Sequence, residues 1–183
     1  MVTPRPDLTA SRPTVVDDAT ATVVDDTVTF DELYREEYDA MVRVAYLLVG
    51  SAESAEELVQ DAFIKVHLRW ARVDAPRAYL RTCVVNGCRD RNRRRVRLRA
   101  RMPRLETDAA GRAATTDGDD GGPAAELHDV LLTLPLRQRA AIVGRFYGGW
   151  DDATIAAAIG VRPATIRSLV HRGLAALRTE IPR

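Results

Sequence analysis

The sequence predicts an all-α protein made of two small helical domains joined by a flexible acidic linker. Apolar residues recur at three- and four-residue spacing over most of the chain, and strand signals are nearly absent. An acidic, glycine-rich stretch divides the helical parts. Of the 183 residues, 46% are hydrophobic but only 5% are aromatic, so we expect cores built from Leu, Val, Ile and Ala.

The pattern divides the chain into four segments. Residues 1–28 are expected to form a disordered N-terminal tail, because they are rich in Pro, Thr and Asp without helical periodicity. An N-terminal domain follows over residues 29–104, then the linker over 105–123 and a C-terminal domain over 124–183.

Three helices are predicted in the N-terminal domain. The first begins near Phe30 and ends at Gly50, and the second begins near Ser54, where Ser54 and Glu57 resemble a capping box. A break near residues 73–75 precedes a third helix, which runs from about Arg77 through an arginine-rich stretch.

The C-terminal domain is predicted to hold a helix from Ala124 to the turn at Pro135, a helix over about 137–147, and a helix-turn-helix. In this motif Gly160 takes the positive φ of the tight turn, and Pro163 begins the second helix. One face of that helix carries short polar and basic side chains suited to the major groove of DNA: Arg162, Thr165, Arg167, Ser168, His171 and Arg172. An ordinary helical hairpin with a solvated arginine face is the alternative.

A net charge of +1 conceals alternating blocks of charge along the chain. Residues 1–62 hold 4 basic and 14 acidic side chains, and residues 63–104 hold 14 basic and 2 acidic. Residues 105–130 hold 1 basic and 7 acidic, and residues 131–183 hold 8 basic and 3 acidic. Two basic blocks held apart by acidic ones predict two surfaces that face polyanions.

Other features narrow the class of protein. The sequence has no apolar run long enough for a transmembrane helix, which favours a cytoplasmic protein. The five-residue spacing of Cys83 and Cys88 separates them around a helix and argues against a disulfide, and no second Cys/His pair is present for a zinc site. Both are therefore expected to be small core residues. We expect no catalytic residues, no metal site and no cofactor, since no constellation of suitable side chains is recognisable.

Several motifs, in this order, resemble the small extracytoplasmic-function (ECF) sigma factors of RNA polymerase, with an actinobacterial character. They are residues 55–63 (AEELVQDAF), Leu68-Arg69-Trp70, residues 78–81 (AYLR), Val85-Asn86 and the arginine run; then Leu134-Pro135 with Gln138-Arg139, and residues 165–168 (TIRS). The resemblance implies that 29–104 is sigma region 2 and that 124–183 is sigma region 4.

The resemblance also implies partners and residue roles. Region 2 would bind a coiled coil of the polymerase β′ subunit through Glu57, Leu58, Gln60 and Asp61, with Leu58 an exposed apolar contact. It would hold the melted −10 strand of promoter DNA through Arg81, Asn86, Arg89, Arg93, Arg94 and Arg95. Region 4 would read the −35 duplex through the six helix-turn-helix residues and dock on the β flap. Many family members also bind an anti-sigma factor.

Two positions depart from expectation, and two other classes of protein stay open. Thr154 stands where the family usually has an acidic residue, and Gly87 lies inside the third helix, at a cost of about 1 kcal/mol relative to Ala. A stand-alone helix-turn-helix regulator explains only the C-terminal half of the sequence. An RNA-binding protein or nucleic-acid chaperone explains only the arginine run.

Overall fold

The computed structural model describes residues 28–101 and 123–180, and every regular element in these two ranges is helical. The N-terminal domain contains α1 (Phe30–Val49), α2 (Ala52–Leu68), a 3₁₀ turn (Trp70–Arg72) and α3 (Pro76–Arg101). The C-terminal domain contains α4 (Pro123–Thr133), α5 (Leu136–Ile142), α6 (Asp152–Ile159) and α7 (Pro163–Glu180). The predicted N-terminal tail and the acidic linker lie almost entirely outside the described residues.

Both ends of α1 and the start of α2 are fixed by local hydrogen bonds. Thr29 and Glu32 form a reciprocal capping box at the start of α1, and Gly50 ends the helix at a φ of 80°. The predicted capping box at Ser54 is wrong, because α2 begins one turn earlier. Ser51 caps α2 by accepting a hydrogen bond from the Ser54 backbone N–H, and Ser54 itself is buried.

The core of the N-terminal domain lies where α1, α2 and α3 meet. Its largest fully buried side chains are aliphatic or sulfur-containing: Leu33, Met41, Val44, Leu48, Val59, Val66, Leu80, Val84 and Cys88. Aromatic rings close one end of this core, where Phe30 packs edge-on against Phe63, with centroids 6.2 Å apart, and against Trp70 at 5.5 Å. The expectation of an aliphatic core is confirmed.

The C-terminal domain contains the predicted helix-turn-helix. Helices α6 and α7 flank Gly160, whose φ of 68° confirms the left-handed turn. The helix predicted over 137–147 is not uniform, since α5 ends at Ile142 and a π-helical turn follows over Val143–Tyr147. This wide turn ends where the Gly148 N–H donates to the Val143 carbonyl, 2.9 Å away.

The two domains are not held apart as the charge pattern suggested. Helix α6 packs against α3 as well as against α7, and α4 and α5 contact α1. One continuous apolar core joins Val84 and Val85 of the N-terminal domain to Trp150 and Ile155 of the C-terminal domain. Burial of apolar surface between the domains therefore stabilises a single closed body over the described residues.

Candidate functional site

The four residues expected to bind polymerase line one cleft between α2 and α3. The cleft has a volume of about 340 Å³, and its walls include Glu57, Leu58, Gln60 and Asp61. Charged side chains of both signs complete it: Lys65, Asp90, Arg91 and Arg94. A mixed polar and charged groove of this kind suits a polar protein surface better than an apolar one.

Leu58 does not have the exposure that the sequence analysis gave it. Its side chain is half-buried and packs against the core. The Cδ2 atom of Leu58 lies so close to Gly87 of α3 that a Cβ added at Gly87 would be only 2.9 Å from it. Gly87 thus allows α2 and α3 to approach closely at the floor of the cleft. This packing accounts for a helix-destabilising residue inside α3.

Glu57 is already paired within the chain. Its carboxylate accepts a hydrogen bond from the Arg91 guanidinium at 2.8 Å, and both side chains are largely exposed. An exposed ion pair of this kind contributes little to stability, about 0–1 kcal/mol. A partner that offers a better-placed cation can therefore take the place of Arg91 at low cost.

The six residues expected at the −10 strand are divided between differently exposed parts of α3. Arg93, Arg94 and Arg95 are exposed on the C-terminal part of the helix, and Asn86 is half-buried. Arg81 and Arg89 are half-buried, and each has an Nε atom without a hydrogen-bond partner among the described residues. Residues four apart share a helix face, so Arg81 and Arg89 lie on one stripe with the buried Val85.

Arg81 is held from two sides. Its guanidinium lies 3.6 Å from the Glu37 carboxylate of α1 and 5.4 Å from the centre of the Trp150 ring. Glu37 is itself buried and accepts a hydrogen bond from Arg77 at 3.0 Å. The pKa of Arg77 is raised, first by its hydrogen bond to Glu36.

A second cleft, of about 460 Å³, opens on another side of α3. It lies where the α1–α2 turn meets α3, and its polar lining is mainly arginine: Arg91, Arg94 and Arg95, with Asn92, Ser51 and Ser54. The arginine run therefore presents cations to two clefts, because Arg91 and Arg94 line both of them.

The residues expected at the −35 duplex lie together on α7 and at its N-terminal end. Arg162, Arg167, Ser168, His171 and Arg172 are exposed, and Thr165 is half-buried. The opposite side of α7 is buried through Ile166, Leu169 and Val170, which fixes the direction of the polar face. The arrangement matches a recognition helix presented outward by its own domain.

Acidic residues at the start of α6 steady the motif. Asp151 caps α6 by accepting from the Thr154 N–H at 2.7 Å. Hydrogen bonds from the side chain and then the backbone of Thr154 lower the pKa of Asp151. Asp152 pairs with Arg145 and lies 3.9 Å from the exposed Arg167. Thr154 therefore supplies the backbone N–H that the Asp151 cap accepts. The acidic residues Asp152 and Asp151 stand two and three positions before Thr154.

Two interdomain contacts, and the buried Glu37 within the N-terminal domain, were missed by sequence reasoning. Arg139 is buried and donates to the Leu48 carbonyl of α1 at 2.5 Å. The His128 ring of α4 stacks on Tyr46 of α1, with centroids 4.3 Å apart. Of these, only the burial of Glu37 could have been predicted from the sequence, because an acid at an apolar position of a helix implies a buried cationic partner.

Burial disfavours the reactive form of both cysteines. Cys88 has no exposed surface, and burial raises its pKa to about 12, while burial also raises the pKa of the half-buried Cys83. In residues 28–101 and 123–180, no group of three or more His, Cys, Asp or Glu side chains is placed to hold a metal ion. No helix within these ranges is long and apolar enough to cross a membrane.

Family models match both domains. Residues 33–98 match the model described as Sigma-70 region 2, and residues 124–177 match the model described as Sigma-70, region 4. These matches cover the helices that carry all three predicted sets of site residues.

Characterised relatives extend the match over most of the chain. The RNA polymerase sigma-E factor of Streptomyces avermitilis is 31% identical over 156 residues, which cover 83% of this chain and 84% of the relative. The ECF RNA polymerase sigma factor SigM of Mycobacterium tuberculosis is 33% identical over 162 residues, which cover 86% of this chain and 79% of the relative.

Solved structures share the fold. The sigma factor RpoE of Bartonella quintana, solved in complex with the anti-sigma factor NepR, has a TM-score of 0.67 at 23% identity, with 82% of this chain and 95% of that chain covered. CnrH, solved with the cytosolic domain of CnrY, has a TM-score of 0.60 at 22% identity, with 82% and 85% covered. The predicted family is confirmed, and the chain belongs to the ECF sigma factors, which direct RNA polymerase in promoter-specific transcription initiation.

Proposed function

We propose that this sigma factor divides its work among three surfaces. The cleft of Glu57, Leu58, Gln60 and Asp61 binds the polymerase β′ coiled coil. The α3 residues Arg81, Asn86, Arg89, Arg93, Arg94 and Arg95 hold the melted −10 strand, and the α7 face reads the −35 duplex while region 4 docks on the β flap. The observations that support the proposal are that the four polymerase residues line one cleft and that the −35 residues lie together on α7, while the −10 residues run along α3 and share only Arg94 with the cleft.

The cleft is suited to a polymerase helix that presents both charge and apolar surface. Glu57 and Asp61 offer carboxylates, Gln60 offers an amide, and the half-buried Leu58 gives an apolar floor. Charge complementarity of this kind guides docking and excludes wrong partners more than it adds affinity.

The α3 and α7 surfaces differ as a single strand and a duplex require. Asn86 has both a donor and an acceptor for the edge of an unpaired base, while exposed arginines such as Arg93 bind phosphates without sequence preference. On α7, polar and basic side chains alternate along one outward helix face, the geometry that reads base edges in the major groove.

The domain boundaries follow from these roles. We propose residues 29–104 as region 2 and residues 124–183 as region 4, with 105–123 as the linker between them and 1–28 as a tail outside both. The chain acts by binding alone, in the cytoplasm, and polymerase supplies the chemistry. The solved complex of RpoE with NepR supports an anti-sigma factor as a further partner of this chain.

Reconstitution with actinobacterial core RNA polymerase tests the polymerase surface. Asp61→Arg reverses a charge in the cleft and should weaken copurification with core. Glu56→Arg is the matched control, since Glu56 is an exposed acid on the same helix outside the cleft lining. Equal binding of core by the two variants would overturn the assignment of the cleft.

The DNA surfaces are tested on the reconstituted holoenzyme. Asn86→Ala should impair open-complex formation more than core binding, and equal loss of both would contradict its −10 role. Arg167→Ala should weaken −35 use by about 1–3 kcal/mol if the side chain makes a bidentate base contact. Arg178→Ala, an exposed arginine farther along α7, should leave −35 use unchanged.

A further inference from the structure

Asp152, the first residue of α6, links three segments of region 4. Its Oδ1 atom accepts a hydrogen bond from the Arg145 guanidinium of the π-helical turn. Its Oδ2 atom lies 3.9 Å from the Nε atom of Arg167 on α7. One carboxylate therefore contacts an arginine from the segment before its own helix and an arginine from the helix after it.

The two arginines differ in how far they are fixed. The side chain of Arg145 is 30% exposed and that of Asp152 is 32% exposed, whereas that of Arg167 is 87% exposed. Arg145 therefore holds Asp152 in place, and Asp152 faces the inner part of a side chain whose end is in solvent. Because an ion pair this exposed contributes little to stability, its main consequence is the direction in which Arg167 points.

The contact atom determines which donors of Arg167 stay available. Nε lies at the inner side of the guanidinium, and Nη1 and Nη2 form its outer edge. A contact at Nε leaves this outer edge free for the two acceptors of guanine in the major groove, O6 and N7. Arg172 on the same face is fixed in a similar way, since its Nε donates to the Ser168 carbonyl at 3.2 Å. Because that partner is a backbone atom of α7, Arg172 does not depend on Asp152.

The charge of Asp152 also selects between the two kinds of DNA contact that an arginine makes. A carboxylate repels backbone phosphates, so a phosphate is a poor ligand for a guanidinium that already lies beside Asp152. Base edges carry no net charge and are not repelled in this way. Base contacts determine sequence preference, whereas phosphate contacts determine position on the duplex. Asp152 therefore favours the use of Arg167 as a reader of sequence.

We propose that Asp152 is a positioning residue for −35 recognition. It holds the Nε atom of Arg167 so that Nη1 and Nη2 face a guanine, and the −35 element of this chain contains a guanine whose selection depends on Asp152. The inference rests on the proposed role of the α7 face. Asp152 acts through Arg167 and needs no contact of its own with DNA. Its removal should therefore lower selectivity without weakening the binding of duplex DNA of arbitrary sequence.

Selection from a promoter library randomised over the −35 element measures this preference, with holoenzyme reconstituted from core RNA polymerase and the full-length chain. Arg167→Ala identifies the position that this side chain reads, and a base other than guanine there would overturn the inference. At that position Asp152→Ala should lower the preference for guanine by about two- to five-fold, the range expected of an exposed ion pair. Preferences at other positions, such as that read by Arg172, should not change.

Asp151→Asn is the matched control for the lost charge. It removes the same charge one residue earlier, and asparagine caps a helix as well as aspartate does, so the guanine preference should stay as in the wild type. An equal loss of preference in Asp151→Asn and Asp152→Ala would assign the effect to net charge near the motif. That result would overturn the positioning role of Asp152.

Binding of the full-length chain to mixed-sequence duplex DNA distinguishes positioning from a role in folding. Asp152→Ala should bind this DNA at least as tightly as the wild type, because a charge that repels phosphates is removed. Circular dichroism checks that the variant remains helical. A variant that loses its guanine preference and its mixed-sequence binding together would show that Asp152 only maintains the fold of the motif, which would contradict the inference.

A double-mutant cycle separates the inference from the proposed role of α7. Asp152→Ala should have no further effect on the guanine preference once Arg167 is replaced by alanine. An effect of the same size with and without Arg167 would overturn the inference. If Arg167→Ala changes no preference, the proposed role of Arg167 fails. If Arg167→Ala removes a guanine preference that Asp152→Ala leaves intact, the inference alone fails.

Discussion

Replacement of Arg139 by Met should destabilise the protein more than any other single exchange of a charged residue in α5. The guanidinium donates to the carbonyls of Leu48 at 2.5 Å, Leu132 at 2.7 Å and Leu134 at 2.9 Å. These carbonyls lie at or near the C-terminal ends of α1 and α4, which have no further turn to satisfy them. Arg139 therefore completes two helices that belong to different domains.

The size of the expected loss of stability in Arg139→Met follows from two opposing contributions. A hydrogen bond from a charged donor stabilises by about 1.5–3 kcal/mol, so three bonds amount to about 5–9 kcal/mol. Burial of the guanidinium, which lowers the pKa of Arg139 to about 10, offsets several kcal/mol of this. Arg139 nevertheless stays charged at neutral pH, and a net loss of about 3 kcal/mol is expected for Arg139→Met.

Urea denaturation followed by circular dichroism measures this loss. Arg137→Met, which changes an exposed arginine two positions earlier on the same helix, is the control and should shift stability by less than about 0.5 kcal/mol. Hydrogen exchange should also quicken at the C-terminal end of α1 in Arg139→Met. A loss below about 1 kcal/mol would refute the idea that this side chain completes both helices.

Three further changes test separate contacts. Burial lowers the pKa of His128, so the stability that its neutral ring contributes should be complete above the unfolded pKa near 6.5 and be lost as pH falls below it. Urea midpoints from pH 7.5 to 5.5 should therefore fall less in His128→Gln than in the wild type. Gly173→Ala should cost about 1–3 kcal/mol in urea denaturation, because its Cβ would lie 2.6 Å from Ile142 Cδ1. Asp151→Ala should lower the melting temperature through loss of the α6 cap, which contributes about 1 kcal/mol.

Each of these changes has an outcome that contradicts its explanation. A pH dependence that is unchanged in His128→Gln would assign it to other groups. A Gly173→Ala protein as stable as the wild type would mean that the end of the Ile142 side chain turns away from the added methyl group at little cost. An unchanged melting temperature in Asp151→Ala would show that the cap is replaced by solvent.

Local patterns were sufficient to predict the helices and the helix-turn-helix. Apolar spacing located α1, and the glycine at position 160 marked the turn before α7, because these signals come from neighbours along the chain. The start of α2 was misplaced, since Ser51 and Ser54 are both suitable capping residues and the buried position of Ser54 depends on tertiary packing.

Contacts between distant segments could not be read from local patterns. The polymerase-binding role implied by the family resemblance required an exposed Leu58, yet the absence of a side chain at Gly87 on another helix lets Leu58 pack inward. Charge counting suggested separated modules, whereas the apolar packing of α6 on α3 and the buried Arg139 join them. Such contacts depend on which helices meet, and periodicity within a single helix does not reveal that.

The most direct test of promoter recognition by this chain is transcription by core RNA polymerase reconstituted with it, with RNA 5′ ends mapped on a random promoter library. We expect start sites that require the chain and share −35 and −10 elements at a fixed spacing. Arg167→Ala should relax the −35 element, and Asn86→Ala should reduce initiation without loss of core binding. Start sites that need no chain, a −35 element that is unchanged in Arg167→Ala, or initiation that is undiminished in Asn86→Ala would contradict these roles.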